Sequence, residues 1–215
     1  MVLSLSLRRK IAVVAVYAVA MGYAEAAVVV YLRSIYYPQG FSFPVAGFAR
    51  EMVSIEVARE AATIVMLGSL AYLTGSPGRL ERLSFFSLAF GVWDIFYYVF
   101  LIVIIGWPAS VLDWDVLFLI PLPWTAPVLA PLIVSAFLVV GAIVTLSRAE
   151  TGRPVQVGRV RWVLLIGSAL AIVIVFLWNV GSVMERNVPP GFPWLLFAAA
   201  LAAGTAAFWS ALRER

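Results

Sequence analysis

Residues 83–105, LSFFSLAFGVWDIFYYVFLIVII, form a continuous apolar run in which Asp94 is the only charged residue. A helix of about 20 residues crosses the roughly 30 Å hydrocarbon core of a bilayer, so this run predicts a membrane-spanning helix. A carboxylate inside such a helix costs about 2.5–3.5 kcal/mol on insertion scales, so Asp94 needs a partner or a function.

Five more runs of similar length predict an all-α bundle of six transmembrane helices. Hydrophobic residues make up 64% of the 215 residues and charged residues 12%, whereas soluble domains have about 45–50% and 25%. A soluble globular fold is therefore excluded. We expect a single domain over residues 1–215, with spans at about residues 10–33, 51–74, 83–105, 124–146, 162–182 and 193–212.

Cofactor chemistry is limited by the residue types that the sequence lacks. It has no His and no Cys, the side chains that ligate haem, zinc and iron–sulfur clusters. We therefore expect no cofactor, and carboxylate, arginine, hydroxyl and aromatic groups remain to form a site. If a metal ion is bound, oxygen ligands favour a hard cation such as Mg²⁺ or Ca²⁺, and Glu25, Glu60 and Asp94 are the candidate ligands.

The basic residues predict the orientation of the chain, because cytoplasmic loops carry an excess of Lys and Arg. Eleven of the 15 lie in the two termini, the 2–3 loop and the 4–5 loop: Arg8, Arg9, Lys10, Arg79, Arg82, Arg148, Arg153, Arg159, Arg161, Arg213 and Arg215. Both termini are therefore predicted to be cytoplasmic, in a multi-pass protein of the plasma or inner membrane. The net charge of +4 reflects this orientation, so the expected partner is the lipid bilayer and not nucleic acid.

The first span has an alternative interpretation as a cleaved signal peptide. Arg8-Arg9-Lys10 precedes an apolar run, and Ala18-Val19-Ala20 has the small-x-small form of a cleavage site. We favour a retained span, because the run continues through Leu32 and cleavage would leave Glu25 in an exposed tail.

The loop between spans 3 and 4 predicts a short interfacial helix on the outer surface. Residues 110–113, SVLD, have the spacing of a capping box, and WDVLF follows at residues 114–118. Span 4 then contains Pro127 and Pro131, which predict that its first half is bent or broken. The candidate outer-surface residues are Asp113, Trp114 and Asp115.

Ionisable residues inside the predicted spans are the unusual feature of this sequence. In span 2, Glu56, Arg59 and Glu60 share one helical face, and in span 3 Asp94 shares a face with Tyr98. Counting about 1.5 Å per residue from the outer helix ends puts the span 2 positions in the outer half of the membrane and Asp94 nearer the midplane. The sequence therefore predicts one binding site formed by Glu25, Glu56, Arg59, Glu60, Asp94, Tyr98 and Asn179.

The charges of this predicted site do not balance. Its four carboxylates and one guanidinium sum to minus three if all are ionised. A low-dielectric interior favours protonation of at least one carboxyl group, or a bound cation. Arg59 is expected to pair with Glu56 on its own helix, or with Glu25 or Asp94 across helices. The alternative is a purely architectural role, in which these pairs hold the helices in register.

Three functions fit these features. The first is a proton- or cation-linked transporter or sensor that uses Glu25, Glu60 and Asp94 as binding acids. The second is a non-catalytic accessory or assembly subunit of a membrane complex, with a membrane-protein partner or as a homo-oligomer. The third is a membrane enzyme that acts on a lipid-like substrate, with Glu60 and Asp94 as acid and base. We favour them in that order, and catalysis remains an open alternative.

Overall fold

The computed structural model of the chain describes residues 4–44, 50–75 and 78–213. These residues form seven helices and one two-stranded sheet. In chain order the elements are α1 (Leu5–Tyr36), α2 (Arg50–Thr74), α3 (Arg79–Ile105), β1 (Trp114–Phe118), β2 (Trp124–Pro127), α4 (Leu129–Glu150), α5 (Arg159–Phe176), α6 (Val180–Met184) and α7 (Trp194–Arg213). Arg215, counted above for the orientation, lies outside the described residues.

Among the described residues, five helical segments are long and apolar enough to cross a membrane: α1, α3, α4, α7 and the segment Arg159–Met184 that contains α5 and α6. Only 22–33% of each apolar stretch is buried, so large apolar side chains such as Leu195 and Val103 face outward. An apolar exterior is what a lipid environment requires, and the prediction of a helical membrane protein is confirmed. Helix α2, which carries Glu56, Arg59 and Glu60, is not among these five segments.

Small residues set the closest helix contacts. Helices α1, α2 and α4 pack around α3, whereas α5 and α7 pack on each other. A Cβ atom added at Gly22 of α1 would lie 2.9 Å from the carbonyl oxygen of Trp93, and one at Gly91 of α3 would lie 2.6 Å from that of Ser135 in α4. Such contacts allow helix backbones to approach without side chains between them.

The predicted interfacial helix between spans 3 and 4 is wrong. Residues 114–127 form an antiparallel hairpin in which Trp114 pairs with Pro127 and Phe118 with Trp124. The predicted polar spacing is present in a different structure: Asp113 Oδ2 accepts hydrogen bonds from the N–H groups of Ala109 (2.9 Å) and Ser110 (3.0 Å). These bonds close a turn, and the aromatic and β-branched residues after it favour a strand.

The hairpin enters the bundle from the end at which α1 and α3 finish, which we call the hairpin end. The N–H of Leu119, just after β1, donates to Glu60 Oε2 at 2.8 Å. Glu60 lies ten residues beyond Arg50, or about 15 Å along α2, which is half of a roughly 30 Å hydrocarbon core. The turn of the hairpin is therefore level with the middle of the bundle.

Two spans differ from their predicted bounds because of this hairpin and a break near residue 178. Helix α4 begins at Leu129, since residues 124–127 belong to β2, and Pro131 lies in its first turn, where a proline removes no helical hydrogen bond. The predicted break in the first half of span 4 is therefore a strand. The fifth span is divided into α5 and α6 at residues 177–179.

The α3–α4 contact gives a direct test of this packing. We expect Gly91→Ala to lower the free energy of unfolding by about 1–3 kcal/mol, because its methyl group would overlap the Ser135 carbonyl. The matched control is Gly68→Ala in α2, where no atom lies within 4 Å of an added Cβ. Thermal unfolding in detergent measures both variants, and equal melting temperatures would contradict the close approach of α3 and α4.

Candidate functional site

Arg59 of α2 forms ion pairs with two of the predicted carboxylates. Its Nε and Nη2 atoms lie 3.0 and 2.7 Å from Glu56 Oε2, one turn earlier on the same helix. Its Nη1 donates to Glu25 Oε2 of α1, and Thr63 Oγ1 donates to Glu25 Oε1 at 2.6 Å. Arg59 thus binds two of its three predicted partners and does not bind Asp94, and Glu25 has a hydrogen bond at each oxygen.

Glu60 faces the hairpin and not Arg59. Its side chain is buried, and its Oε2 accepts the hydrogen bond from the N–H of Leu119. This contact satisfies a backbone donor that has no partner in the β1–β2 ladder. Glu60 therefore holds the turn of the hairpin against α2.

Asp94 of α3 has a hydroxyl group as its partner. Ser135 Oγ of α4 donates to Asp94 Oδ2 at 2.7 Å, close to where Gly91 lets the two helices touch. Among the described residues no ion pair involves either Asp94 or Glu60. These two carboxyl groups are therefore the ones left without a cation.

A second buried ion pair, which the sequence analysis missed, joins α1 to the hairpin. Arg33 Nη2 donates to Asp115 Oδ1 at 2.9 Å, and the Tyr98 hydroxyl donates to Asp115 Oδ2 at 3.2 Å. The Arg33 guanidinium also lies 3.7 Å from the ring centroid of Trp107 and 4.2 Å from that of Phe41, in cation–π contact.

Asp115, a candidate outer-surface residue, is buried within the protein, with an exposed fraction of 2%. Burial raises the pKa of Asp115, while the charge of Arg33 and the hydrogen bonds from Val116 and Tyr98 act in the opposite direction. Arg33 was the sequence feature that could have indicated this ion pair. It lies in the last turn of a long apolar helix, on the side predicted to carry few basic residues.

The other predicted residues lie apart from these carboxylates. Asp113 closes the turn before β1, and the Trp114 ring contacts Phe43 and Phe192 edge to face. Asn179 lies in the break between α5 and α6 and donates to the carbonyl of Gly191 at 3.0 Å. Its contact shapes the last loop, and it lines neither of the two cavities described next.

Two cavities meet at Asp94. The smaller, of about 60 Å³, contains five of the predicted site residues along its wall: Glu25, Arg59, Glu60, Asp94 and Tyr98. The larger, of about 660 Å³, lies between α3, α4, α5 and α7 and is lined mostly by apolar side chains. Asp94 lines both, and the hairpin residues Leu117 and Phe118 separate them.

The site contains more carboxylates than guanidinium groups. Five carboxylates, those of the predicted cluster and Asp115, are set against the guanidinium groups of Arg33 and Arg59. Within the described ranges, no group of three or more carboxylates is arranged to hold a metal ion. Glu25, Glu60 and Asp94, the candidate metal ligands, instead each bind a different donor.

No protein-family model, no curated protein and no solved structure matches this chain.

The Arg33–Asp115 pair predicts a large stability effect. We expect Asp115→Ala to lower the free energy of unfolding by about 3–5 kcal/mol, because it leaves a buried guanidinium without its counter-charge. Asp113→Ala, two residues earlier, removes only the hydrogen bonds of a turn and should cost about 0.5–2 kcal/mol, as a lost helix cap does. Thermal unfolding of both variants in one detergent measures the difference, and equal losses would show that the pair does not stabilise the fold.

Proposed function

We propose that this chain is a six-span protein of the cell membrane that binds a proton at Asp94, as part of a proton-linked transporter or sensor. One observation carries the proposal. Asp94 is a carboxylate inside the bundle that binds a hydroxyl group instead of a cation, and it lines both a polar and an apolar cavity. Ionisable groups within spans that face a cavity are typical of ion and proton pathways.

The chemistry of the site favours a proton over a metal ion. A proton removes the charge of one carboxylate, whereas a metal ion needs several oxygen ligands arranged around it. Ser135 is compatible with both protonation states of Asp94, because a hydroxyl group donates to a carboxylate and accepts from a carboxylic acid. Arg59 lies on the wall of the same small cavity and would repel a divalent cation.

Glu60 supports the proposal as the second acid of the small cavity. Like Asp94, it forms no ion pair with any described residue, and the two acids share that cavity. A proton that enters from the hairpin end would therefore meet Glu60 and Asp94 in one polar space, bounded by the Leu117 and Phe118 side of the hairpin. The large cavity beyond Asp94 is mostly apolar, so Asp94 would be the last site on this path that can bind the proton.

A second candidate function is a membrane enzyme with a lipid-like substrate. It is favoured by the large apolar cavity, which reaches a carboxylate directly. In that case Glu60 and Asp94 would act as acid and base on a substrate group that enters the small cavity.

Asp94→Asn tests the proton site. Infrared difference spectra between acidic and alkaline buffer are expected to contain the band of a buried carboxylic acid in the wild-type protein and to lack it in this variant. In proteoliposomes with a trapped pH dye, the proton flux of this variant should be about tenfold lower than that of the wild type, a factor equal to about 1.4 kcal/mol. Asp113→Asn, which changes a carboxylate of the turn before β1, is the control and should match wild type. An unchanged carboxyl band in Asp94→Asn would falsify the assignment.

The proposed orientation has a separate test, made possible because the chain has no Cys. Single cysteines at Gln39 and Asn187 should react with a membrane-impermeant maleimide in intact cells, since their loops are proposed to face outward. A cysteine at Gln156 should react only after permeabilisation, because its loop is proposed to be cytoplasmic. Labelling of Gln156→Cys in intact cells would show that the proposed orientation is wrong.

A further inference from the structure

The large cavity has the form of a long, narrow apolar channel. Its wall runs from Leu80 to Asp94 on α3, from Pro131 to Thr145 on α4, and from Trp162 to Phe176 on α5. Each stretch covers fourteen residue steps, or about 21 Å of helix. That length exceeds one leaflet of a bilayer, which is about half of the roughly 30 Å core.

One end of this channel is polar and the rest is not. Asp94 and Ser135 lie at the end that the hairpin closes, where Leu117, Phe118 and Trp124 form the wall. Asp94 Oδ2 accepts from Ser135, and in the described part of the chain Oδ1 accepts no hydrogen bond. The lining along the remaining length is apolar apart from scattered serine and threonine residues.

We propose that this channel binds a single-chain membrane lipid with an uncharged hydroxyl head group, placed so that the hydroxyl donates to Asp94 and the chain fills the space between α4 and α5. The proposal deepens the proposed function and rests on it in one respect, because Asp94 is taken as the acid of the site. The ligand class follows from the size, lining and polar end of the cavity.

The volume of the cavity suits a small molecule such as a single lipid chain. About 660 Å³ falls within the range of about 300–1,000 Å³ that is usual for small-molecule sites.

The charge of the polar end excludes an anionic head group, and its hydrogen-bonding groups match a hydroxyl. The excess of carboxylates around Asp94 repels an anionic head such as a fatty-acid carboxylate or a phosphate. The indole nitrogens of Trp93 and Trp124 are buried without a hydrogen-bond partner among the described residues, and both side chains line the cavity. A hydroxyl group donates to Asp94 and also accepts from an indole, whereas an ammonium group only donates.

Photolabelling of the full-length protein in liposomes tests this assignment. The probe is hexadecanol with a diazirine in its chain, and matched probes carry a carboxylate or an ammonium head. We expect the alcohol to label residues of α3, α4 and α5 that line the channel, and to bind about tenfold more tightly than the carboxylate probe, a difference of about 1.4 kcal/mol.

Filling the channel should remove this labelling. Ala169 of α5 lines the channel and is exposed, so Ala169→Phe should reduce labelling at least about tenfold, and Ala169→Leu should give an intermediate value that guards against misfolding of the larger variant. Ala198→Phe, at an exposed alanine of α7 outside the channel wall, should label as wild type does.

The outcomes separate this inference from the proposed function. No labelling by any probe in a wild-type protein that still has the Asp94 carboxyl band would overturn the lipid assignment and leave the proton site standing. Labelling without that band would do the reverse. Tighter binding of the ammonium or carboxylate probe would overturn the hydroxyl head group, and equal labelling of Ala169→Phe and wild type would place the probe outside the channel.

Discussion

Backbone N–H groups cannot be left without partners inside a bilayer, and the hairpin of this protein brings non-helical backbone to the middle of the bundle. Pairing of β1 with β2 satisfies the inner edges, Glu60 accepts from the N–H of Leu119, and Pro121 and Pro123 contribute no N–H to the turn. The position of the hairpin therefore depends on a carboxylate of α2. The hairpin in turn supplies Asp115 to Arg33 and closes one end of the large cavity.

The intramembrane carboxylates consequently belong to two classes. Glu25 and Glu56 share Arg59, and Asp115 is paired with Arg33, so each of these acids has a guanidinium partner, and the pairs hold α1, α2 and the hairpin together. Glu60 accepts a hydrogen bond from the backbone of the hairpin. Among the described residues, Asp94 accepts a hydrogen bond only from Ser135, and it is the carboxylate that lines both cavities. In the function proposed above, the architectural and functional interpretations of the charge cluster therefore apply to different residues.

Local patterns in the sequence predicted contacts between neighbouring residues but not contacts between residues far apart in the chain. The pair of Arg59 and Glu56 was predicted because three residues make nearly one helical turn, and the structure contains it. The pair of Arg33 and Asp115 joins residues 82 positions apart. The hairpin that contains Asp115 was predicted as a helix, because the SVLD spacing resembles a helix cap. The density of proline from Pro121 to Pro131, with aromatic and β-branched residues before it, was the signal that favoured a strand.

From the sequence alone, the apolar runs determined that the chain is a helical membrane protein, and the missing His and Cys limited its chemistry to oxygen, guanidinium and aromatic groups. Both follow from residue type and local spacing, because the transfer of a helix into lipid depends on its own side chains. Only the tertiary structure decided which acid lacks a cation and which lies on a cavity. Neutralisation depends on distances of a few ångströms between helices and a hairpin, and no local pattern specifies these distances.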